Sequence, residues 1–545
     1  MGIPQLYASL QPFSKLDILD GEVVVLDGPA LAYHILYICR ANGASQPSYA
    51  LLGRVTITWL EKLAMRSVVV RSIYFDGYLP ESKLEVRISR MMRSTSEISR
   101  LYVSNVQGCP IKYSVNDDRE AKFQMFKTGT KSSRRLIDPC FLVPAVIDVL
   151  RNHCHYRDIT YLVPGEADHF CASEVFHQGG IVITSDSDLL IHNLGHGRVA
   201  FFKDLQEDDM SKITFSSFVP RKIFEQLGLA YPEKAIQLAY ERKFAPHATL
   251  SQIIRKCSHD PSHTTDYLKF REQYCFGGVS TRAVQGISNL AALKHLDPRV
   301  SELLVDLRSR DNTSSSLLPI RIFLPPLVEC PELRSAWDTS TPIRQLAYRL
   351  ADYCTLHEDG VPTVQEFRRV QSFSYRGRQV TLPSLNLARQ YTKEILLCAG
   401  ILKTSLYDND DRFWIALAVA LDKLESQRQD REPAIMTIDG NVQNPTATGS
   451  TDCVAWNMVH MAAQMQGTLY SLRMLQQVLF SVKDCKMEEE FPDMGPMSSL
   501  LAQLTPVERY PSTSEMIQAV RELGHSGTLM ATGVLNVAHR AQEDH

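Results

Sequence analysis

Residues 159–190 read ITYLVPGEADHFCASEVFHQGGIVITSDSDLL, and this stretch decides the fold. Two short apolar runs, Ile159–Val163 and Ile181–Thr184, flank a helix expected over Ala167–Phe176. That alternation is the signature of a parallel α/β sheet. Just past each run stand two acids separated by one residue, Glu166 with Asp168 and Asp186 with Asp188. Functional residues of an open parallel sheet sit at the carboxyl ends of its strands, so acids far apart in sequence can converge on one crevice.

The pattern recurs upstream. Asp27 follows VVVL and Asp76 follows SIYF, which brings the strand-end carboxylates to six. A lone Asp after a strand is ordinarily a turn former or a helix N-cap, and Asp27-Gly28-Pro29 by itself reads that way. Four such junctions together point instead to a metal-dependent phosphodiesterase. Clustered carboxylates repel one another, bound cations relieve the repulsion, and hard ions such as Mg²⁺ take oxygen ligands. Strands Val23–Leu26, Val68–Phe75 and Val199–Phe202 complete the expected sheet. Helices are expected at Pro29–Cys39, Tyr49–Met65 and Phe141–Asn152, with more helix inside Phe224–Ala239.

The motifs MGIPQLY, VVLDGPALAYH, IYFDGYLPESK, VPGEADHFCAS and ITSDSDLL, in that order, resemble the flap-endonuclease and XPG-type nucleases. Within that superfamily, Ser335-Ala336-Trp337 followed by Pro342-Ile343-Arg344-Gln345-Leu346-Ala347-Tyr348 resembles the Asteroid branch. The resemblance implies a PIN-like α/β fold, with a parallel sheet flanked by helices, a helical arch, and a mostly α-helical second domain. It also implies two Mg²⁺ or Mn²⁺ ions, with Asp27, Asp76 and Glu166 mainly at one, Asp186 and Asp188 at the other, and Asp168 between them. Lys83 and Arg90, seven residues apart and so on one helical face, match the family's basic gateway residues that act on the scissile phosphate. Gly2, after removal of Met1, is expected beside the nucleic acid. The chain departs from the family where Lys243-Phe244-Ala245 stands in place of a last metal-ligating acid, and no glycine-rich hairpin follows.

Composition narrows the remaining classes. The 545 residues suffice for two or three domains, and 44% hydrophobic content is that of a soluble globular chain. No apolar run is long enough for a membrane span, and the N-terminus has neither a signal-peptide pattern nor a myristoylation signal. An intracellular protein is expected, and the resemblance implies nuclear residence. The twelve cysteines lack a Cys-x-x-Cys pair and read as reduced core residues. His153-Cys154-His155 looks like a zinc fragment, but no second ligand pair follows at finger spacing. Net charge is −3, yet residues 83–135 hold twelve basic residues against five acidic ones. A local cluster of this kind can bind nucleic acid in an otherwise acidic protein. Lys83, Arg87, Arg90, Arg93, Lys131, Arg134 and Arg135, with Gly2, are the expected nucleic-acid contacts.

The expected organisation is a nuclease domain over 1–250 with its arch at 81–135, then an Asteroid-type helical region over 251–430. A linker at 431–452, a helix over 453–482 interrupted at Gly467, and a mobile tail from 483 to 545 follow. The functional expectation is a structure-selective nuclease for DNA ends, flaps or junctions in DNA repair, with RNA an open possibility. A protein partner could bind the helical region. The competing expectation is a catalytically weak or inactive nuclease-fold scaffold binding RNA or proteins in post-transcriptional regulation. A PIN-like ribonuclease is the third.

Overall fold

The structure is a computed structural model that describes residues 2–118, 123–126, 136–258, 264–274, 293–309, 319–354, 363–369, 377–405, 412–433, 453–483, 485 and 490–526. It divides into two compact units. The first comprises Met1–Pro80, Arg119–Arg135 and Leu142–Ser301; the second comprises Glu81–Asp118, Leu136–Phe141 and Glu302–His545.

The first unit opens with α1 (Leu6–Leu10) and β1 (Lys15–Ile18), then β2 (Val23–Asp27), α2 (Gly28–Ala41), α3 (Tyr49–Met65) and β3 (Val69–Asp76). In the second unit the chain forms α4 (Leu84–Ser104) and β4 (Cys109–Pro110). Back in the first it forms α5 (Leu142–Asn152), β5 (Thr160–Val163), α6 (Ala167–Gln178), β6 (Ile181–Thr184) and β7 (Arg198–Phe201). The five long strands form one sheet in the order β5-β3-β2-β6-β7, each neighbour parallel. Every residue of β6 is buried, which requires cover on both faces and explains its uninterrupted Ile-Val-Ile-Thr run. α2, α3 and α5 pack on one another. Cys171, Ala172 and Val175 of α6 join a separate cluster with Val25, Val182, Leu6 and Phe218.

Residues beyond 250 also build the first unit. Ile253 and Cys257 of helix Leu250–Cys257, with Phe270 of helix Thr265–Glu272, enter the same apolar cluster as α6. The boundary therefore falls near residue 301 rather than 250. The amphipathic faces of these short helices need a core, and the sheet supplies it.

The second unit is built around helix Trp456–Ser481, which is buried along most of its length. It packs against helix Thr341–Tyr353. The expected interruption at Gly467 does not occur. A Cβ there would lie 3.3 Å from the Trp337 ring, so glycine lets the helix approach that indole instead of breaking. The Asteroid-like segment forms a buried polar network rather than plain apolar core. Arg344 grips Glu366 through two bonds, Nε to Oε1 at 2.6 Å and Nη2 to Oε2 at 2.9 Å, and Tyr348 donates to the same carboxylate at 3.0 Å. Ser340, Ser471 and the Trp337 carbonyl accept the remaining Arg344 donors. The region expected as a mobile tail holds helices Met494–Leu501 and Thr513–Ser526, with Met497, Leu501, Met516 and Val520 buried. Short helical stretches of weak periodicity become ordered when a neighbour covers their apolar side. The expected linker falls almost wholly on residues 434–452, outside the described residues.

Candidate metal and nucleic-acid site

All six carboxylates belong to the first unit, at the carboxyl ends of β2, β3, β5 and β6 and the helical turns that follow. Asp27 ends β2 and caps α2, its Oδ1 accepting from the Ala30 amide at 3.2 Å. The bland N-cap reading and the functional one thus hold at once. Its Oδ2 accepts from the Thr184 hydroxyl at 2.6 Å, which ties β2 to β6. Asp76 ends β3 and accepts from the Ala167 amide at 2.7 Å, at the first turn of α6, where the helix dipole favours a negative group. The glycines after these two aspartates allow close approach of strands. A Cβ on Gly28 would lie 2.6 Å from the Tyr74 carbonyl oxygen, and one on Gly77 2.4 Å from that of Val163.

Asp186 and Asp188 form a tight turn after β6. The Asp188 amide donates to Asp186 Oδ1 at 3.1 Å, and the Asp186 amide donates to the Thr184 hydroxyl at 2.9 Å. The N-terminal segment lies on this turn. Ile3 donates its amide to Asp188 Oδ1 at 2.8 Å, and a Cβ at Gly2 would fall 2.3 Å from Asp186 Oδ1 and 2.4 Å from Ser187 Oγ. Gly2 also has φ +116°, so both its space and its backbone demand glycine.

The electrostatics show how closely the acids are grouped. Asp27, 5% exposed, is pushed up to about 6, chiefly by burial, with Thr184 and Ala30 opposing and the Asp186 charge adding to the rise. Asp168 is held well above the usual carboxylate range by burial and then by Asp27, Asp186, Asp76 and Glu166 in that order, which places it in the middle of the group. Among the described residues, no three of these carboxylates offer ligand atoms within 4.8 Å of one another. Like charges confined to one region stand apart, and an ion would have to draw them in. The donor set, all carboxylate oxygen and crowded by like charges at Asp168, fits hard divalent cations such as Mg²⁺ or Mn²⁺.

Tyr274 joins the group without any signal in the sequence. Its hydroxyl donates to Asp188 Oδ2 at 3.1 Å, and the phenol is raised by burial and by Asp188, Asp186 and Glu166. Its ring lies 5.3 Å from that of His192, which in turn meets His169 edge-on at 4.9 Å. Thr184, two residues before Asp186 in the ITSDSDLL motif, bonds to both Asp27 and the Asp186 amide, a role its position alone does not signal. Ala245, where the resemblance expects a further acid, ends helix Glu233–Phe244 and packs against the apolar cluster. The adjacent Arg242 bonds to Ser9 Oγ at 2.9 Å.

Of the expected basic contacts, Lys83, Arg87, Arg90 and Arg93 fall on the second unit. Lys83 closes a single 3-10 turn and leads into α4, while Arg90, Arg93 and Arg100 occupy the exposed face of that helix. Arg87 lies on the packed face, beside Ile88 and Met91 of a small apolar cluster with Phe323 and Phe367. Its guanidinium sits 3.8 Å from the Phe323 ring centre and pairs with Glu302 at 2.8 Å, both side chains largely buried. Arg87 therefore holds α4 in its unit and is withdrawn as a nucleic-acid contact. Lys131, Arg134 and Arg135 lie outside the described residues.

Comparison with known proteins agrees with this architecture. A family model described as XPG domain containing matches residues 138–382, a span that includes Glu166, Asp168, Asp186 and Asp188. The chain is similar to Asteroid homolog 1 of Schizosaccharomyces pombe (strain 972 / ATCC 24843), 22% identical over 408 residues that cover 69% of this chain and 66% of that protein. The five-stranded parallel sheet flanked by helices is the PIN-like arrangement of XPG proteins. The chain is thus similar to XPG-domain proteins over residues 138–382 and to an Asteroid homologue over most of its length.

Proposed function

We propose that the chain is a divalent-metal-dependent, structure-selective nuclease acting on DNA ends, flaps or junctions in DNA repair, with nuclear residence. The observation that carries this reading is the convergence of six carboxylates from four strand ends, with Asp168 raised by four of its neighbours. Asp27, Asp76 and Glu166 would hold one ion, Asp186 and Asp188 the other, and Asp168 would face both. Divalent ions bound there would supply an activated water and stabilise the leaving 3′ oxygen of a phosphodiester. Lys83 and Arg90 add positive charge for the transition state, and the exposed arginines of α4 bind backbone phosphates.

A second reading, a weakly active or inactive scaffold binding RNA or protein, is favoured by one feature. Ala245 stands where the motif order calls for a last metal-ligating acid, so the second ion has one candidate ligand fewer. The test is cleavage of labelled flap, overhang and hairpin DNA alongside single-stranded RNA, in Mg²⁺ and in Mn²⁺. Low activity in Mg²⁺, higher activity in Mn²⁺, and none after Asp186→Asn with Asp188→Asn are expected, because Mg²⁺ demands near-ideal octahedral geometry. Cleavage that survives the double change refutes the assignment, and no cleavage of any substrate by the unmodified chain selects the scaffold.

A further inference from the structure

We propose that His153, Cys154 and His155 form a separate metal site for one soft or borderline transition-metal ion of the Zn²⁺ class. Among the described residues this is the group of three potential donors whose ligand atoms all lie within 4.8 Å of one another. The sequence gives little reason to expect it, since contiguous residues on a regular strand or helix point in divergent directions. Here the chain leaves α5 at Asn152 and turns back on itself, the His153 carbonyl accepting from the Tyr156 and Arg157 amides at 3.3 and 3.0 Å. That turn gathers the three side chains.

The geometry is close to what such an ion needs. Cys154 Sγ lies 3.3 Å from His155 Nδ1. Ligands at Zn–N and Zn–S bond lengths in a tetrahedral sphere stand roughly 3.3–3.8 Å apart, so that pair is already at ligand spacing. His153 Nδ1 accepts from the His155 amide at 3.3 Å, a long bond that an ion would replace. Tyr156 stacks on His153 with ring centres 4.9 Å apart and limits rotation of the imidazole. The negative end of the α5 dipole lies beside the trio and favours a cation. Two flanking arginines act on main-chain carbonyls: Arg157 Nε bonds to the Arg151 carbonyl at 3.0 Å, and Arg151 Nη1 to that of Leu296 at 2.7 Å. Asp158 is paired with Lys294 at 3.1 Å.

The trio's chemistry and place in the fold set it apart from the carboxylates. It lies before the start of β5 at Thr160, whereas Glu166 and Asp168 lie past the carboxyl end of that strand. Nitrogen and thiolate donors select Zn²⁺-class ions over Mg²⁺. Cys154 and His155 are exposed, so an ion can enter, and three protein ligands leave a fourth position open to water or to a donor from another molecule.

The test uses the reduced full chain, stripped of metal and held in excess Mg²⁺ so that the carboxylates are supplied with their own cation. Co²⁺ is then titrated as a spectroscopic probe. One Co²⁺ per chain should give a thiolate-to-cobalt charge-transfer band in the near ultraviolet, displaced by Zn²⁺ and absent from Cys154→Ser. Changing His153 and His155 together to Ala should weaken Co²⁺ binding at least about tenfold, the loss seen even when an outer partner of a ligand is removed. No band from the unmodified chain, a band that survives Cys154→Ser, or binding unaffected by the histidine changes would each overturn the proposal. None of these readouts depends on nuclease activity.

Discussion

Removing divalent ions should cost the first unit more stability at pH 8 than at pH 5, and Asp27 sets part of the difference. This carboxyl is buried and pushed from an ordinary 3.8 up to about 6. A raised folded pKa means that the folded chain prefers the protonated form. The associated stability is fully present below about 3.8 and is lost as pH rises through about 6. At about 1.4 kcal/mol per tenfold change in acidity, that gap is worth about 3 kcal/mol for Asp27 alone. Asp168 is raised for the same reasons and acts in the same direction. A bound cation compensates the charges and restores what ionisation removes, and at low pH protons compete with it for the same oxygens. Thermal melts in EDTA and in millimolar Mn²⁺, at pH 5 and pH 8, read this directly. More than half of the Asp27 contribution is already lost at pH 5, so Asp27 contributes about 1.4 kcal/mol between the two pH values. Mn²⁺ should therefore raise Tm more at pH 8, by about 3–6 °C for a unit of this size. Asp27→Asn should flatten part of the pH dependence seen in EDTA, and the remainder should come from Asp168. Equal Mn²⁺ increments at the two pH values, or an unchanged pH profile in Asp27→Asn, would show that the carboxylates are not crowded as described.

Three further outcomes follow from particular contacts. Changing Arg90, Arg93 and Arg100 together to Ala should weaken binding to duplex DNA and reduce the slope of log affinity against log salt by about 2–3, while Arg87→Ala should act on stability instead. An unaltered salt slope in the triple variant would remove α4 as a phosphate-binding face. Tyr274→Phe deletes one donor to Asp188 and should raise the Mn²⁺ dissociation constant about tenfold with little loss of fold, as calorimetric titration would reveal. Arg344→Met removes the two-bond partner of buried Glu366 and leaves it Arg368 at 3.1 Å and the Tyr348 hydroxyl. It should therefore destabilise the second unit by about 3 kcal/mol, at the low end for a broken buried pair, measured by denaturant unfolding.

The sequence by itself determined the sheet and the acids that decorate it. Ile181–Thr184 and Tyr49–Met65 are read to the residue, and the other main strands and helices of the sheet to within one or two. Apolar periodicity and strand-end acids are local signals, and the parallel topology follows from their alternation. Tertiary structure alone decided which partners those residues meet. Arg87 and Arg90 look equivalent on paper, yet three residues of helix rotation direct one to Glu302 and Phe323 and the other to solvent. Tyr274 reaches Asp188 across 86 positions of chain, and no spacing rule predicts a hydrogen bond over that separation. Gly467 reads as a break and acts as a seat for Trp337. The short helices after 490 lacked enough pattern to be seen until a second surface covered them. In each case the deciding energy is burial or pairing against a distant element, a quantity that exists only once the chain has folded.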